Sequence, residues 1–328
     1  MKKKMKQFVV GLFAVAAACL LIPATQAKAY SYNLSHQIAQ TQNSVTVAWT
    51  APEPSTYYTY SSTYNVYLAK DYSEIDNVAP VAIPISETSY TFTNLAPGTE
   101  YYFKVTYTST STYGTTYDRT AESGDIVTLP GKVTGVRQER WWRYALSVNA
   151  TWDKQNEVSG YEYEFRDGKN KKIKSEIFNY NSNSMSHSIK NNMLYTLRVR
   201  AYTELNGQVY WGEWSDKAYL FTQPEVSKAS ISGGKLNVSW KKITGVTGYD
   251  IYVSTNQNKG YKKVASVSAK KGSATIKKFS GKKFNPKKKY YVYIAAKKKV
   301  SGRTYNSGVN YVTPIIKGKM KGGLDYID

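Results

Sequence analysis

The sequence predicts an all-β protein built from a threefold repeat, on three observations. After residue 30 the apolar residues fall in short strings alternating with polar ones, as in Val45-Thr46-Val47-Ala48-Trp49, and no stretch has the spacing of a long amphipathic helix. Tyrosine supplies 31 of the 328 residues, a strand-rich composition. A corner pattern also returns. In residues 94–105, Leu95 precedes a Pro97-Gly98 turn, after which Tyr101, Phe103 and Val105 share one strand face. Ile189, Tyr195, Leu197 and Val199 repeat it, as do Phe284, Pro286, Tyr290, Val292 and Ile294, and the three tyrosines lie 94 and 95 residues apart.

The chain opens with Lys2, Lys3, Lys4 and Lys6, an apolar run over residues 8–22, Pro23, and then Ala27-Lys28-Ala29. This is the layout of a secretory leader, so residues 1–29 are read as a signal peptide cleaved after Ala29. The apolar run is shorter than the roughly 20 residues that span a membrane. The single cysteine, Cys19, would leave with the leader. The mature chain is therefore expected to be extracellular, without disulfides, thiol nucleophiles or cysteine metal sites. No Leu-Pro-x-Thr-Gly sorting signal is visible, so any attachment to a cell surface is expected to be non-covalent. A Lys-rich leader before a cysteine-free exported chain fits a bacterium.

A second landmark runs through the repeats. Trp49, Trp152 and Trp240 each close an alternating strand, and the next strand begins at Tyr64, Tyr161 and Tyr249. The corner and this tryptophan resemble the approach to strand F and the strand-B Trp of fibronectin type III domains. The resemblance covers roughly residues 30 to 314. It implies three tandem immunoglobulin-like β-sandwiches in a rod-like array: 30–130, 131–224 and 225–314, followed by a tail over 315–328. Linkers are expected near Leu129-Pro130-Gly131 and Gln223-Pro224. Tyr101, Tyr195 and Tyr290 would be tyrosine corners, ring in the core and hydroxyl bonded to nearby backbone, with Trp49, Trp152 and Trp240 as structural partners. The second corner has Asn191-Asn192 for Pro97-Gly98, and Asn accepts the same backbone angles. The third has Lys287-Lys288 for Gly98-Thr99, a poorer turn.

Catalysis finds little support. The two histidines are separate: His36 reads as a packing residue of the first strand, and His187, aligned with Thr93, as a surface residue. No zinc-helix motif, nucleophile elbow or phosphate loop occurs. Glu162 and Glu164 share a strand face and are expected to be solvated. Neither enzymatic activity nor a cofactor is expected. Arg166-Asp167-Gly168 reads as a turn. Trp211-Gly212-Glu213-Trp214-Ser215 resembles the Trp-Ser-x-Trp-Ser box of cytokine-receptor domains, where tryptophans stack with arginines of strand F. Here Arg198 and Arg200 would point outward towards them, an outer ladder stiffening the middle repeat.

Binding is expected at the two ends of the chain. Residues 51–63 and 109–117 are Tyr/Ser/Thr-rich loops placed by the resemblance at one free pole of the first repeat. Tyr57, Tyr58, Tyr60, Tyr113 and Tyr117 are the candidate contacts there, for a protein or glycan. Residues 30–130 carry three basic and nine acidic side chains, residues 131–224 fourteen and ten, and residues 225–328 twenty-three and four. The last segment holds the candidate polyanion contacts Lys282, Lys283, Lys287, Lys288, Lys289, Lys297, Lys298 and Lys299. Lysine favours delocalised attraction, here to an anionic cell-wall polymer or matrix polyanion. Without aromatics placed for bases, nucleic acid is not the expected partner. The sequence thus predicts a secreted adhesion protein. The alternative is a structural spacer, or an accessory module of a polysaccharide-degrading system.

Overall fold

The computed structural model describes residues 36–139, 147–179, 182–190 and 192–322, with the backbone of 325–326. Residues 1–35, including the expected leader and Cys19, lie outside the described residues. No helix among the described residues is long and apolar enough to cross a membrane.

The first repeat contains β1 (Gln37–Gln40), β2 (Ser44–Ala48), β3 (Tyr58–Tyr60), β4 (Thr63–Ala69), β5 (Val81–Pro84), β6 (Ser89–Thr93), β7 (Glu100–Ser111) and β8 (Thr116–Val127). One sheet runs β1-β2-β6; the other places β4 and β8 on the two sides of β7, with β5 outside β4. Val45, Val47, Phe92, Phe103, Val105 and Ile126 pack between them. His36 is buried ahead of β1, its ring 5.2 Å from Phe103.

The second repeat follows the same plan with β9 (Arg137–Gln138), β10 (Ser147–Thr151), β11 (Gly160–Asp167), β12 (Lys172–Phe178), β13 (Ser184–Ser188), β14 (Leu194–Leu205), β15 (Gln208–Trp211) and β16 (Ala218–Phe221). One sheet is β9-β10-β13; the other is β12-β11-β14-β15, with β16 also on β14. Here the expected surface position of His187 is corrected. Val148 pairs with His187 as Val45 pairs with Phe92, so His187 takes the Phe92 place and packs edge-on against Phe165, ring centroids 5.1 Å apart. The connection from this strand to the corner is one residue shorter than in the first repeat. A slip of one residue exchanges the faces of a strand.

The third repeat has β17 (Val226–Ser232), β18 (Lys235–Trp240), β19 (Gly248–Ser254), β20 (Lys262–Ser268), β21 (Ser273–Ile276), β22 (Tyr290–Val300), β23 (Arg303–Asn306), β24 (Tyr311–Ile316), β25 (Lys319–Met320) and β26 (Asp325–Tyr326). The boundary expected at 314 falls inside β24. The chain beyond it continues the sandwich: β25 pairs with β17 and β24, joining the two sheets along one edge, and β26 adds to β24.

All three corners close as tyrosine corners. The Tyr101, Tyr195 and Tyr290 hydroxyls accept from the backbone N–H of Ala96, Lys190 and Asn285 at 2.9, 2.8 and 3.2 Å. Gly98 and Asn192 turn at φ 64 and 58, left-handed values open to Gly and Asn. The third corner needs no such residue: Asn285 Oδ1 accepts from Lys287 N–H and the Asn285 carbonyl from Lys288 N–H. Trp49, Trp152 and Trp240 are buried with their rings 5.3, 5.6 and 5.3 Å from Tyr64, Tyr161 and Tyr249. Tyr101→Phe removes the acceptor of Ala96 N–H and should cost about 1–2 kcal/mol. Amide exchange across residues 94–105 should then rise about five- to thirtyfold, with the third repeat unaffected.

The repeats meet through packed joints. Val127 and Leu129 join Leu205 and Tyr210 in one apolar cluster, and Lys70 bonds Glu157 at 2.5 Å. Leu194 and Phe221 enter the core of the third repeat. The Gln223 side chain donates to the Tyr311 carbonyl at 2.7 Å and accepts from Asn310 N–H at 2.8 Å.

Candidate binding surfaces

The expected loop at residues 51–63 contains β3, a strand laid along the far end of β7: Tyr58 pairs with Ser111 and Tyr60 with Ser109. With β8 on the other side, the β7–β8 hairpin becomes a three-stranded apron. Residues 112–120 are all exposed, so this end stands clear of the sandwich. Cross-strand pairing puts Tyr58, Tyr60, Ser109, Ser111, Tyr117 and Arg119 on one face.

Three of the five expected tyrosines are open: Tyr57, Tyr113 and Tyr117 are 71%, 95% and 42% exposed. Tyr58 is half-buried against Tyr117, ring centroids 6.4 Å apart. Tyr60 is chiefly scaffold, its hydroxyl donating to the Glu53 carbonyl at 2.7 Å and its ring packing on Tyr107 at 5.8 Å. Tyr107 continues to Tyr64 and Trp49, so an aromatic chain ties the apron to the core. Sequence reasoning missed Arg119. Its guanidinium lies 5.7 and 5.1 Å from the Tyr58 and Tyr117 ring centres, and its Nε donates to Ser109 Oγ at 3.0 Å. The available signal was that it is the one arginine in residues 30–130 and stands two places from Tyr117.

In the second repeat Arg198 lies over Trp214 at 4.3 Å, and Arg200 over Trp211 and Trp214 at 4.0 and 4.6 Å. The carboxylates beneath are not solvated as expected. Glu164 takes two hydrogen bonds from Arg166, at 2.6 and 2.8 Å, and one from Arg198 at 2.8 Å; Glu162 accepts from Arg200 at 2.7 Å. Only 9% of the Glu164 side chain is exposed. Arg166, with Arg198 behind it, outweighs burial and holds this carboxyl down at about 2. The tryptophan faces are occupied by the chain's own arginines, so the ladder serves rigidity.

The expected lysines divide into two groups. Eight residues of chain along β22 separate Lys289 from Lys297, about 26 Å at strand spacing. At the end nearer the second repeat, Lys297 is committed to Asp250 at 2.5 Å. Lys298 donates to the Gly245 carbonyl at 2.7 Å and lies over Tyr219. These two are structural, because Asp250 reaches across from β19 and the second repeat packs beside them.

At the other end Lys282, Lys283, Lys287, Lys288 and Lys289 are all exposed. Turns bring more lysines to this pole. Phe284 N–H donates to the Gly234 carbonyl at 2.9 Å and Ile231 N–H to the Gly318 carbonyl at 2.8 Å. Lys262 reaches Ser280 Oγ at 3.3 Å. Lys235, Lys262 and Lys317, all exposed, therefore belong with the expected set. No carboxylate side chain occurs in the sequence between Asp250 and Asp325, so local compensation is sparse.

Among the described residues no group of three or more His, Cys, Asp or Glu is placed to hold a metal ion. Residues 31–123 match the family model of the fibronectin type III domain. No curated protein matches the chain. Among solved structures, the FN1-FN3 domains of chicken CNTN1 align at 18% identity over 85% of this chain and 96% of that one, TM-score 0.29. A segment of two fibronectin type III domains from chicken tenascin aligns at 14% identity over 56% and 95%, TM-score 0.35. The chain is all-β: residues 31–123 match the fibronectin type III domain, and the second repeat follows the same strand order as the first while the third elaborates it.

Proposed function

We propose that the chain is a secreted, non-enzymatic adhesion protein whose third repeat associates with an anionic envelope or matrix polymer. The observation that carries this reading is the gathering of exposed lysines from several turns at one pole, in a stretch with no carboxylate from residue 251 to 324. Lysines on turns present ammonium groups to a flexible polyanion without requiring one fixed geometry. The tyrosine apron of the first repeat, whose segment is acidic overall, then meets a different partner, a protein or glycan. Binding of the full chain to immobilised teichoic acid should fall steeply as salt rises, because these charges are exposed. Retention that ignores salt would reject the reading.

The apron makes its own prediction. Replacing Tyr57, Tyr58, Tyr113 and Tyr117 by Ser should abolish adhesion through the first repeat while leaving retention on teichoic acid intact. Surface-binding assays of the full chain above and below the screening range of salt separate the two. The packed joints favour a second reading, a spacer that holds neighbouring modules at fixed separation. Co-purification with a secreted hydrolase, with no binding by the apron, would support that reading instead.

A further inference from the structure

β12 is the outermost strand of the larger sheet of the second repeat and pairs only with β11 among the described residues. Alternate backbone N–H and C=O groups on its far side point away from the sheet, an edge that can take another strand. The matching edges of the other repeats are guarded. β5 ends in Pro84, which has no N–H to donate, and β20 begins with exposed Lys262 and Lys263 and has no carboxylate. β12 has no proline and carries both charges, Lys174 and Glu176. It also exposes two isoleucines, Ile173 and Ile177, at 42% and 54%. Ile177 and Ser175 lie opposite Glu162 and Glu164 on the outer face, and alternation puts Ile173 beside them. A bulge at Ile173 leaves residues 174–178 in regular register with β11.

We propose that β12 pairs antiparallel with β12 of a second copy of this chain, joining two sheets across a two-fold axis. Residues 173–177 read Ile-Lys-Ser-Glu-Ile, nearly the same in both directions. With the axis at Ser175, Lys174 stands opposite the second copy's Glu176, and Ile173 opposite its Ile177. Both ion pairs are attractive, and the isoleucines of the two copies gather on the outer face, where in one copy they meet water. Lys174 and Glu176 already bond each other at 2.7 Å, and Glu176 accepts from the Tyr163 hydroxyl at 2.7 Å. The charges of two copies then alternate in sign around the axis. Moving the axis to Lys174 or to Glu176 sets like charges face to face, so one register is selected. The proposal is independent of the lysine pole and of the apron.

A contact this short lies below the roughly 1,200 Å² of standard interfaces, so the association is weak. Sedimentation equilibrium of the full chain should show monomer at about 1 µM and a dimer growing towards about 500 µM. Ile177→Lys, at an exposed position, and Lys174→Glu should each weaken the dimer about tenfold or more. The Lys174→Glu and Glu176→Lys chains, each weakened alone, should associate when mixed, because opposite charges then meet again. Ile177→Lys keeps the test valid if loss of the Tyr163 partner unfolds the Glu176→Lys chain. A chain that stays monomeric throughout that range overturns the proposal. So does a dimer that these variants leave intact, or one lost when Tyr57 and Tyr113 are replaced by Ser.

Discussion

A Trp152→Ala chain should lose about 3–5 kcal/mol from its second repeat, the range for emptying a fully buried aromatic site. Trp152 is 0% exposed and edges onto Tyr161, whose hydroxyl in turn accepts from Gln155 N–H at 2.7 Å. The cavity would sit between the two sheets, beneath Val148, Leu197 and Val199. Typical domains are stable by about 5–15 kcal/mol, so the loss is a large share of the total. Hydrogen exchange on the full chain should show β10, β11 and β14 opening a hundredfold or more faster, as about 3 kcal/mol implies. The joint should loosen with it, because Val158 of this repeat lies beside Gly98 of the first and Glu157 bonds Lys70. Protection unchanged in these strands would show that the tryptophan is not a keystone of the fold.

The second large effect is on acid stability. Glu164 is held at about 2, chiefly by Arg166 and then Arg198, against an ordinary value of 4.5. The folded chain thus takes up this proton less readily than the unfolded chain, so stability rises with pH through the interval between the two values. The contribution is complete above about pH 5 and is lost as the pH falls towards 2, and it amounts to about 3 kcal/mol. Urea unfolding followed by tryptophan fluorescence at pH 7 and pH 3 should show this slope. Glu164→Gln should be less stable at pH 7, since the two arginines keep their places without a counter-charge, and should flatten the slope. An equally steep slope in the variant would assign acid sensitivity to other carboxylates.

Local chemistry made much of the fold legible. A Pro-Gly turn followed by alternating Tyr101, Phe103 and Val105 is written in adjacent residues, and so is the Trp that closes each second strand. What escaped depends on partners distant in sequence. β3 exists because Tyr58 and Tyr60 find Ser111 and Ser109, about fifty residues on, and no local pattern announces that pairing. His187 changed faces because one residue is missing from the following connection, which a fixed repeat offset cannot register. Lys297 left the binding set because Asp250, 47 residues earlier, captures it. Asx-type turning at Asn285 let the third corner close where Lys287 and Lys288 looked unfavourable. Charge totals correctly separated the acidic first segment from the basic third. They could not show that Lys289, just before β22, and Lys298, near its far end, stand at opposite ends of that strand.

Under the proposed polyanion binding, the position of the lysines in the third repeat should matter more than total charge. Two full-length variants of equal net charge test it. One carries Gln at Lys282, Lys283, Lys287 and Lys288; the other carries Gln at Lys169, Lys171, Lys172 and Lys190, exposed positions of the second repeat. Retention on teichoic acid is compared at one low salt concentration. A lysine near an anionic surface contributes up to about 1 kcal/mol, so the first variant should bind between about tenfold and several-hundredfold more weakly. The second should stay close to the parent chain. Equal losses in the two variants would contradict the account and leave only a diffuse attraction of a basic protein.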